Sequence, residues 1–314
     1  MANVHVKSGG LLTTVQDAGR IGYQKYGIAQ SGVMDLSAYR MANLLVGNAP
    51  DEAVLEINYL GPELIFDEET MIAVTGAATA LTINGRPVAM NESHLVPAGG
   101  SLRFVKMERG VRAYLAFGGT IDVPAVNGSK STFFKGHLGG FEGRQLKPKD
   151  TLTLSDVRPF KKKVLPAEFV PTLAQDVTVR VVLGPQNDAF TGEGLQTFLG
   201  DSSYTVTPYA DRMGYRLSGP VIEHVESADI ISDATVMGAV QVPKDGQPII
   251  LMADRQTTGG YTKIATVITP DLPLVAQLQT KATLHFAAVD VDEAQAISRA
   301  YEADMQRLTE YLDF

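Results

Sequence analysis

Short apolar runs separated by turn residues recur along the whole chain and limit it to a small set of folds. Many of the runs have the length and the two-residue period of β-strands, and 30 glycines and 16 prolines punctuate them. An alternation of strands and helices is missing, which disfavours a doubly wound fold. The pattern predicts a mainly β protein built of antiparallel barrels or sandwiches. The runs cover residues 64–66, 71–74, 80–83, 101–105, 113–117, 151–154, 177–183, 203–207, 249–252, 263–268 and 282–287.

Two segments have the period of a helix instead. The first covers residues 34–46, with Asp35 in its first turn and Gly47 placed as a C-terminal cap. The second begins at Val291, and its apolar residues step by three or four as on an amphipathic helix. The apolar stripes consist of Met34, Ala38, Met41, Ala42 and Leu45 in the first segment and Ala294, Ile297, Tyr301, Met305, Leu308 and Leu312 in the second.

A length of 314 residues favours two domains over one. The segment with the composition of a linker is 156–172, where Lys161, Lys162 and Lys163 stand among three prolines with little periodic apolar content. We therefore expect two β-barrel subdomains, covering residues 1–165 and 166–314, the second of which carries the C-terminal helix.

The charge and the residue composition argue against several classes of function. The chain has 27 lysines and arginines against 35 aspartates and glutamates, a net charge of −8, which disfavours nucleic acid or an anionic membrane as the main partner. Cysteine is absent, so disulfides and thiolate chemistry are excluded. A signal peptide and an apolar run of about 20 residues are also missing, which predicts a cytoplasmic protein. His224 and Glu226 lack the spacing of a zinc motif, and no metal site is expected.

Three motifs of cofactor chemistry come close to a match and fail. Residues 127–132 are partly similar to a phosphate-binding loop, but Ser129 precedes Lys130 at the position where the motif needs glycine. The glycine fingerprint of dinucleotide-binding proteins does not occur. Lys106 lies in a Val-Lys-Met sequence without the flanking Ala-Met of a biotin-carrying lysine. We therefore expect no covalent biotin on this chain.

Cations inside glycine-rich turns, each with a carboxylate close by, are the strongest candidates for a site. They occur in residues 17–23 (DAGRIGY), 139–144 (GGFEGR), 210–215 (ADRMGY) and 253–263 (ADRQTTGGYTK). Glycine lets the backbone approach a ligand closely, and successive N–H groups can form an anion-binding nest. Arginine adds planar, bidentate recognition of carboxylate or phosphate. Four such turns, with Gln16, Gln241 and Gln256 nearby in sequence, favour convergence of some of them on one site.

Each turn also has a purely structural interpretation, because aspartate caps turns and glycine permits them. Asp35 can begin a helix or act as a general base, and the Ser/Thr-rich loop at 129–132 can donate to an oxyanion or simply form a loop. The expected catalytic residues are Arg20, Asp35, Asp211, Arg212 and Arg255. The expected substrate-binding residues are Tyr23, Gln256, Gly259, Gly260, Tyr261 and Lys263.

Seven longer stretches form a recognisable set: TVQDAGRIGY at 14–23, SGVMD at 31–35, NLLVGN at 43–48, GGTIDVP at 118–124, GSKST at 128–132, DRMGYRL at 211–217 and DRQTTGGY at 254–261. With these stretches, the chain resembles the allophanate hydrolase subunit 2 family, also described as a biotin-dependent carboxyltransferase domain of subdomains A and B. The resemblance covers about residues 4–288. Asn127 and Lys130 depart from the family pattern in their loop, so that loop says little about the substrate.

The resemblance implies a pair of cyclophilin-like β-barrels, in agreement with the mainly β pattern. Stand-alone members of this length are similar to the C component of an ATP-dependent 5-oxoprolinase, which opens 5-oxo-L-proline to L-glutamate. The implied partners are two other subunits, termed A and B, of which the B-type subunit is similar to allophanate hydrolase subunit 1. The resemblance also implies ATP with Mg²⁺ at the level of the complex.

Two other functions are implied by other branches of the family. One is the carboxyltransferase component of a biotin-dependent urea carboxylase or allophanate hydrolase system. The other is a non-catalytic antagonist of a sporulation-kinase inhibitor. Lactam activation and carboxyl transfer both require that an oxyanion be held by cations and N–H donors. The charges of the candidate site therefore do not separate the 5-oxoprolinase reaction from carboxyl transfer.

Overall fold

A computed structural model describes residues 1–313 and divides the chain into two compact units. Unit 1 consists of Met1–Ile21, Ser31–Leu173 and the described part of Gln306–Phe314. Unit 2 consists of Gly22–Gln30 and Ala174–Met305. The subdomain limits expected from the sequence, 1–165 and 166–314, stay a prediction.

Unit 1 is built on one branched antiparallel sheet of ten strands that forms a half-barrel. The hydrogen-bonded order is β2-β3-β8-β4-β1-β10-β9, and β5 pairs with β6, β7 and β8. Its core contains the alternate apolar residues of these strands, for example Val4, Phe66 and Leu115, which are fully buried. The strands are β1 Ala2–Ser8, β2 Leu12–Gln16, β3 Val54–Asn58, β4 Glu63–Phe66, β5 Thr70–Ile83, β6 Arg86–Val88, β7 Ser93–Val96, β8 Ser101–Phe117, β9 Thr120–Ile121 and β10 Thr151–Ser155.

Two strands of unit 1 are longer than their sequence predicts. The runs 71–74 and 80–83 both lie in β5, and 101–105 and 113–117 both lie in β8. The register between β5 and β8 shifts three times, beginning next to Gly76, which has a φ of +88° and lies against the backbone of Arg112. Because such bulges interrupt the two-residue period, each long strand looks like two short ones in the sequence.

The first predicted helix is confirmed as α1, Leu36–Leu45. The Asp35 carboxylate accepts a hydrogen bond of 2.9 Å from the N–H of Ala38, which makes Asp35 the N-cap. Gly47 follows the last turn with a φ of +71°. The predicted apolar stripe is buried against β5 and β8.

Unit 2 contains a closed barrel with the order β11-β18-β15-β16-β13-β12-β19. All of its pairs are antiparallel except β11 with β19, a parallel pair that the sequence pattern does not predict. A separate two-stranded ribbon joins β14 and β17. The strands are β11 Asp176–Leu183, β12 Tyr204–Val206, β13 Gly214–Ser218, β14 Asp229–Ala234, β15 Ala239–Gln241, β16 Ile249–Leu251, β17 Thr258–Tyr261, β18 Lys263–Val267 and β19 Thr283–Ala288.

Three further helices follow α1: α2 Gly192–Leu199, α3 Leu272–Ala276 and α4 Val291–Asp313. The predicted C-terminal helix is confirmed as α4, with Met305, Leu308 and Leu312 buried. The short α2 and α3 were not predicted, because glycine in the first and proline in the second weaken a helical pattern. The mainly β class with barrel subdomains is confirmed. In the described range, none of the helices has both the length and the apolar character that crossing a membrane requires.

The lysine-rich segment that follows β10 is packed against unit 1 by several hydrogen bonds. The Arg158 N–H donates to Gly118 O at 2.8 Å, and the Leu165 N–H donates to Asn91 O at 2.8 Å. Between them, Ser93 Oγ accepts from the Lys163 N–H at 2.7 Å. The segment predicted as a linker is thus fastened to the sheet of unit 1 and brings its cations to one face of that unit.

Candidate functional site

In unit 1, the Asp17 carboxylate organises the loop that contains Ser129, Lys130 and Ser131. Its oxygens accept from Ser129 Oγ at 2.6 Å, from Ser131 Oγ at 2.5 Å and from the Lys130 N–H at 2.5 Å. The Lys130 ammonium donates to Ile121 O at 2.9 Å. Because both serine hydroxyls donate to Asp17, their role in this structure is to hold the loop.

Arg20 is only 1% exposed and lies next to the same loop, where its Nη2 donates to Ser131 O. The predicted glycine turn at 139–144 makes room for it. A Cβ on Gly139, which has a φ of +68°, would collide with Arg20 Nη2 and Ser131 O. Two of the four predicted turns, 17–23 and 139–144, therefore meet around the Arg20 guanidinium.

Asp35 lies in a buried network of unit 1. Its N–H donates to the Tyr114 hydroxyl at 2.8 Å, and that hydroxyl donates to Glu56 Oε2 at 2.8 Å. Burial, reinforced by Glu56, raises the pKa of Tyr114 well above its usual value. Glu56 and Tyr114 were not among the sequence candidates, although a carboxylate inside the apolar run 53–57 was a visible signal.

In unit 2, Arg212 forms a bidentate pair with Asp254, and both side chains are buried. The distances are 2.9 Å from Nε to Oδ2 and 3.0 Å from Nη2 to Oδ1. Asp211, the sequence neighbour of Arg212, is exposed and accepts from the N–H groups of Met213 at 2.7 Å and Gly214 at 3.2 Å. The partner of Arg212 is thus a distant carboxylate, while Asp211 shapes the turn.

Arg255 is 5% exposed and has neutral partners. Its Nη2 donates to Gln30 Oε1 at 3.1 Å and its Nη1 to Met252 O at 3.3 Å, while the buried Nε has no hydrogen-bond partner. Among residues 1–313, no carboxylate oxygen lies within 4.0 Å of this guanidinium. Burial lowers the pKa of Arg255 to about 10, so the group is still charged at neutral pH.

Residues 22–30, which belong to unit 2, are fastened beside Arg255. Gln24 Nε2 donates to Thr235 O at 2.6 Å and to Thr257 O at 3.0 Å. Tyr23 is partly buried in the same segment, and its ring centre lies 6.3 Å from that of Tyr26. A segment that precedes α1 in the sequence is therefore brought next to the 253–263 turn.

The remaining candidates of unit 2 surround a pair of glutamine side chains. Gln256 Nε2 donates to Gln241 Oε1 at 3.4 Å, and Gln241 Nε2 donates to Tyr261 O at 3.4 Å. A Cβ on Gly259 would lie too close to Gln241 Nε2, so a larger residue here would displace the Gln241 amide. Gly260 is partly buried and the Tyr261 side chain is exposed.

Lys263 is buried at the start of β18, and its ammonium donates to Asp233 Oδ2 at 2.7 Å and to Ala234 O at 3.2 Å. This hydrogen bond lowers the pKa of Asp233. Two of the three buried cations named in unit 2, Arg212 and Lys263, are thus balanced by aspartates. Arg255 stands among neutral amides and carbonyls, an arrangement suited to an anion. The candidates Arg20 and Asp35 belong to unit 1, and all other candidates belong to unit 2.

The family model for the carboxyltransferase domain, subdomain A and B, matches residues 26–288. The C subunit of 5-oxoprolinase from Escherichia coli (strain K12) is 36% identical to the chain over 303 residues, which are 96% of this chain and 95% of that protein. The urea amidolyase of Lachancea kluyveri is 32% identical over 329 residues, which cover 96% of this chain but 18% of that protein. The crystal structure of the Kluyveromyces lactis urea carboxylase superimposes with a TM-score of 0.92 at 33% identity, over 98% of this chain and 29% of that chain.

Proposed function

Because the chain belongs to the carboxyltransferase-domain family of subdomains A and B, we propose that it is the C subunit of an ATP-dependent 5-oxoprolinase. In this role it opens 5-oxo-L-proline to L-glutamate together with the A and B-type subunits. The observation that carries the proposal is the match with the C subunit of a 5-oxoprolinase, which covers 96% of this chain and 95% of that protein. In the urea amidolyase, in contrast, the match covers only 18% of the sequence.

The chemistry sets a clear demand on the site. A lactam is an amide, and resonance makes its carbonyl carbon a poor electrophile. ATP with Mg²⁺, when bound in the complex, would transfer a phosphoryl group to the lactam oxygen with release of ADP, so that water could add to the carbonyl carbon while the ring C–N bond breaks and phosphate leaves. The protein must meanwhile bind the carboxylate of 5-oxoproline and orient its ring amide.

The buried guanidinium of Arg255 is suited to binding the carboxylate of 5-oxoproline. A buried charge is costly unless an opposite charge and hydrogen bonds satisfy it. Arg212 has Asp254 for this purpose, whereas Arg255 has only Gln30 Oε1 and Met252 O. The substrate carboxylate supplies the missing negative charge, and the arginine fork recognises it through paired N–H donors.

Gln256, which follows Arg255 in the sequence, and its neighbour Gln241 are suited to orienting the ring amide of 5-oxoproline. A glutamine amide offers both a donor and an acceptor, which matches the N–H and C=O of a lactam. Gln256 Nε2 and Gln241 Oε1 are 3.4 Å apart, and Gly259 leaves the space that Gln241 occupies. In the proposal they align the lactam carbonyl while Arg255 holds the carboxylate.

A carboxyltransferase role in a urea carboxylase system is the second candidate. The identity of 32% to a urea amidolyase and the TM-score of 0.92 to a urea carboxylase favour it. That reaction requires carboxybiotin on another chain or domain, since we propose that this chain carries no biotin. The substrate then is urea, which has no carboxylate for Arg255 to bind.

Reconstitution separates the two candidates. The chain is mixed with purified A and B subunits that are active with a reference C subunit, and glutamate and ADP are measured with 5-oxoproline and ATP. The proposal expects both products in equal amounts and none without the chain. Absence of glutamate, with the reference mixture active, overturns it. Carboxylation of urea by a mixture with biotin carboxylase and a biotinylated carrier establishes the second candidate instead.

A further inference from the structure

A pocket on unit 1 is lined by both apolar residues and cations, and the candidate site does not include it. It lies at the C-terminal end of α1, next to the segment that follows β10. Leu45, Val46, Met71 and Pro159 form its apolar lining. Arg158, Lys161 and Lys163 are its cations, and Gly47 completes the lining.

Two of the cations, Lys163 and Arg158, donate hydrogen bonds to neutral groups of the fold. The Lys163 side chain is 9% exposed, and its ammonium donates to Leu44 O, in the last turn of α1, at 3.2 Å. Arg158 Nε donates to Asn48 Oδ1 at 3.2 Å. Among residues 1–313, no carboxylate lies within 4.0 Å of the Arg158 guanidinium. Burial lowers the pKa of Lys163, Asp313 opposes this shift, and the charges of Lys161 and Arg158 lower the pKa further.

The chain already places an acidic residue at this pocket. Lys161 Nζ donates to Asp313 O at 3.3 Å, and Lys163 Nζ lies 4.0 Å from Asp313 Oδ1. The two lysines thus converge on one residue. The Asp313 side chain is 70% exposed and its contact with Lys163 is long, so the pair is weak and an incoming anion can replace it.

We propose that this pocket binds the phosphate group of a small organic phosphate, with Arg158 and Lys163 on the phosphate and Pro159 against the organic part. The arginine fork and the lysine point charge are the two donors that proteins use for phosphate. Pro159, which is exposed in front of the buried Leu45, Val46 and Met71, offers contact to an aromatic or aliphatic body rather than to a second charged group. Asp313 competes with the ligand for the same lysine.

The test is a titration of the full chain by calorimetry at low ionic strength, with phenyl phosphate and inorganic phosphate as probes. We expect phenyl phosphate to bind more tightly than inorganic phosphate, because only it has an apolar ring that can pack against the exposed Pro159. Methyl NMR of labelled methionines adds a local signal, since Met71 lines the pocket and its resonance should shift on binding. Neither measurement requires turnover, so the outcome is independent of the proposed 5-oxoprolinase activity.

Three variants make the test specific. Arg158→Gln should weaken phenyl phosphate binding by about tenfold, since one charge-assisted pair is lost. Lys162→Gln is the matched control: it removes the same charge from the same segment, but Lys162 pairs with Glu92 at 2.8 Å and does not line the pocket. Asp313→Asn should tighten binding, because the internal competitor is removed.

Several results overturn the proposal. One is the absence of both a heat of binding and a Met71 shift with either probe. Another is equal affinity for phenyl phosphate in Arg158→Gln and the unchanged chain. The third is a loss of affinity in Lys162→Gln as large as that in Arg158→Gln, because this shows attraction to net charge alone. Phenyl dicarboxylates that bind as tightly as phenyl phosphate overturn the assignment of phosphate as the recognised group.

Discussion

Gly139 illustrates how a missing side chain can determine the position of a catalytic candidate. The Arg20 guanidinium occupies the space that a Cβ at this position needs, and the backbone of Gly139 is in the left-handed region. Arg20 depends in this way on a turn more than 100 residues away, which also contacts Ser131.

Gly139→Ala should therefore destabilise the protein by about 2 to 4 kcal/mol, the sum of backbone strain and overpacking. Gly128→Ala is the matched control, because Gly128 has a φ of +76° but no atom within 4 Å of the added Cβ. It should cost only the strain, about 1 to 2 kcal/mol. Urea denaturation measures both, and equal losses in the two variants contradict the close approach of Arg20 to Gly139.

Arg255 leads to a second prediction at this scale. Arg255→Gln should raise the KM for 5-oxoproline by about tenfold or more, because a hydrogen bond between charged groups is lost. Arg255→Lys should retain part of the affinity, because it keeps the positive charge. Steady-state kinetics of the reconstituted complex measure this. An unchanged KM in Arg255→Gln shows that the substrate carboxylate binds elsewhere.

The pH dependence of binding gives an independent check on Arg255. The charged guanidinium binds the carboxylate, and burial lowers its pKa to about 10. The value of kcat/KM, which reports on the free enzyme, should be constant below that pH and fall as the pH rises through it. Thermal unfolding at each pH is the control that separates loss of charge from loss of structure.

At the scale of elements, the start of α1 can be explained by a single side chain. Asp35 has a position typical of an N-cap, and its carboxylate satisfies the N–H of Ala38. The sequence favoured both a capping role and a role as general base, and the structure describes the geometry of the cap.

Substitution at Asp35 separates the two roles. Asp35→Ala should lower the free energy of unfolding by about 1 to 2 kcal/mol, because the cap is lost. Asp35→Asn keeps a capping oxygen, so we expect nearly full stability and, if the residue only caps, nearly full activity. Glutamate release and urea denaturation are measured on both variants. A stable but inactive Asp35→Asn contradicts a role limited to capping and shows that the Asp35 carboxylate is needed for activity.

The elements that could be predicted from the sequence are those with local signals. Both α1 and α4 have an uninterrupted helical stripe, and most strand runs have turn residues at their ends. The continuity of β5 and β8 could not be predicted, since their register shifts fall where glycine and charged residues interrupt the apolar pattern. The partner of Arg212 was equally hidden, because Asp254 follows it by 42 residues without a fixed spacing rule.

At the scale of the whole molecule, the division into units cannot be derived from composition. Residues 22–30 belong to unit 2 because Gln24 and Gln30 bond to residues more than 200 positions away, and nothing in the segment itself indicates this. The lysine-rich segment, in turn, has the composition of a spacer but is fastened through its backbone to Ser93 and Gly118. Long-range hydrogen bonds of this kind leave no periodic signal in a single sequence.

The stability of the folded chain should depend on pH through His224. The imidazole lies 4.6 Å from the ring centre of Phe190, and its Nε2 is 3.1 Å from both Val242 O and Thr262 Oγ1. Burial lowers its pKa from the usual 6.5, so the folded state favours the neutral ring. The stabilising contribution is therefore fully present above pH 6.5 and is lost as the pH falls through the lower pKa of the folded state.

Urea denaturation from about pH 8 to about pH 5, on the native chain and on His224→Gln, measures this effect. The free energy of unfolding of the native chain should decline more steeply on the acid side than that of the variant. The other four of the five histidines are present in both proteins, so their contributions cancel in the difference. Parallel pH profiles for the two proteins contradict the prediction, because they mean that His224 titrates alike in the folded and unfolded chain.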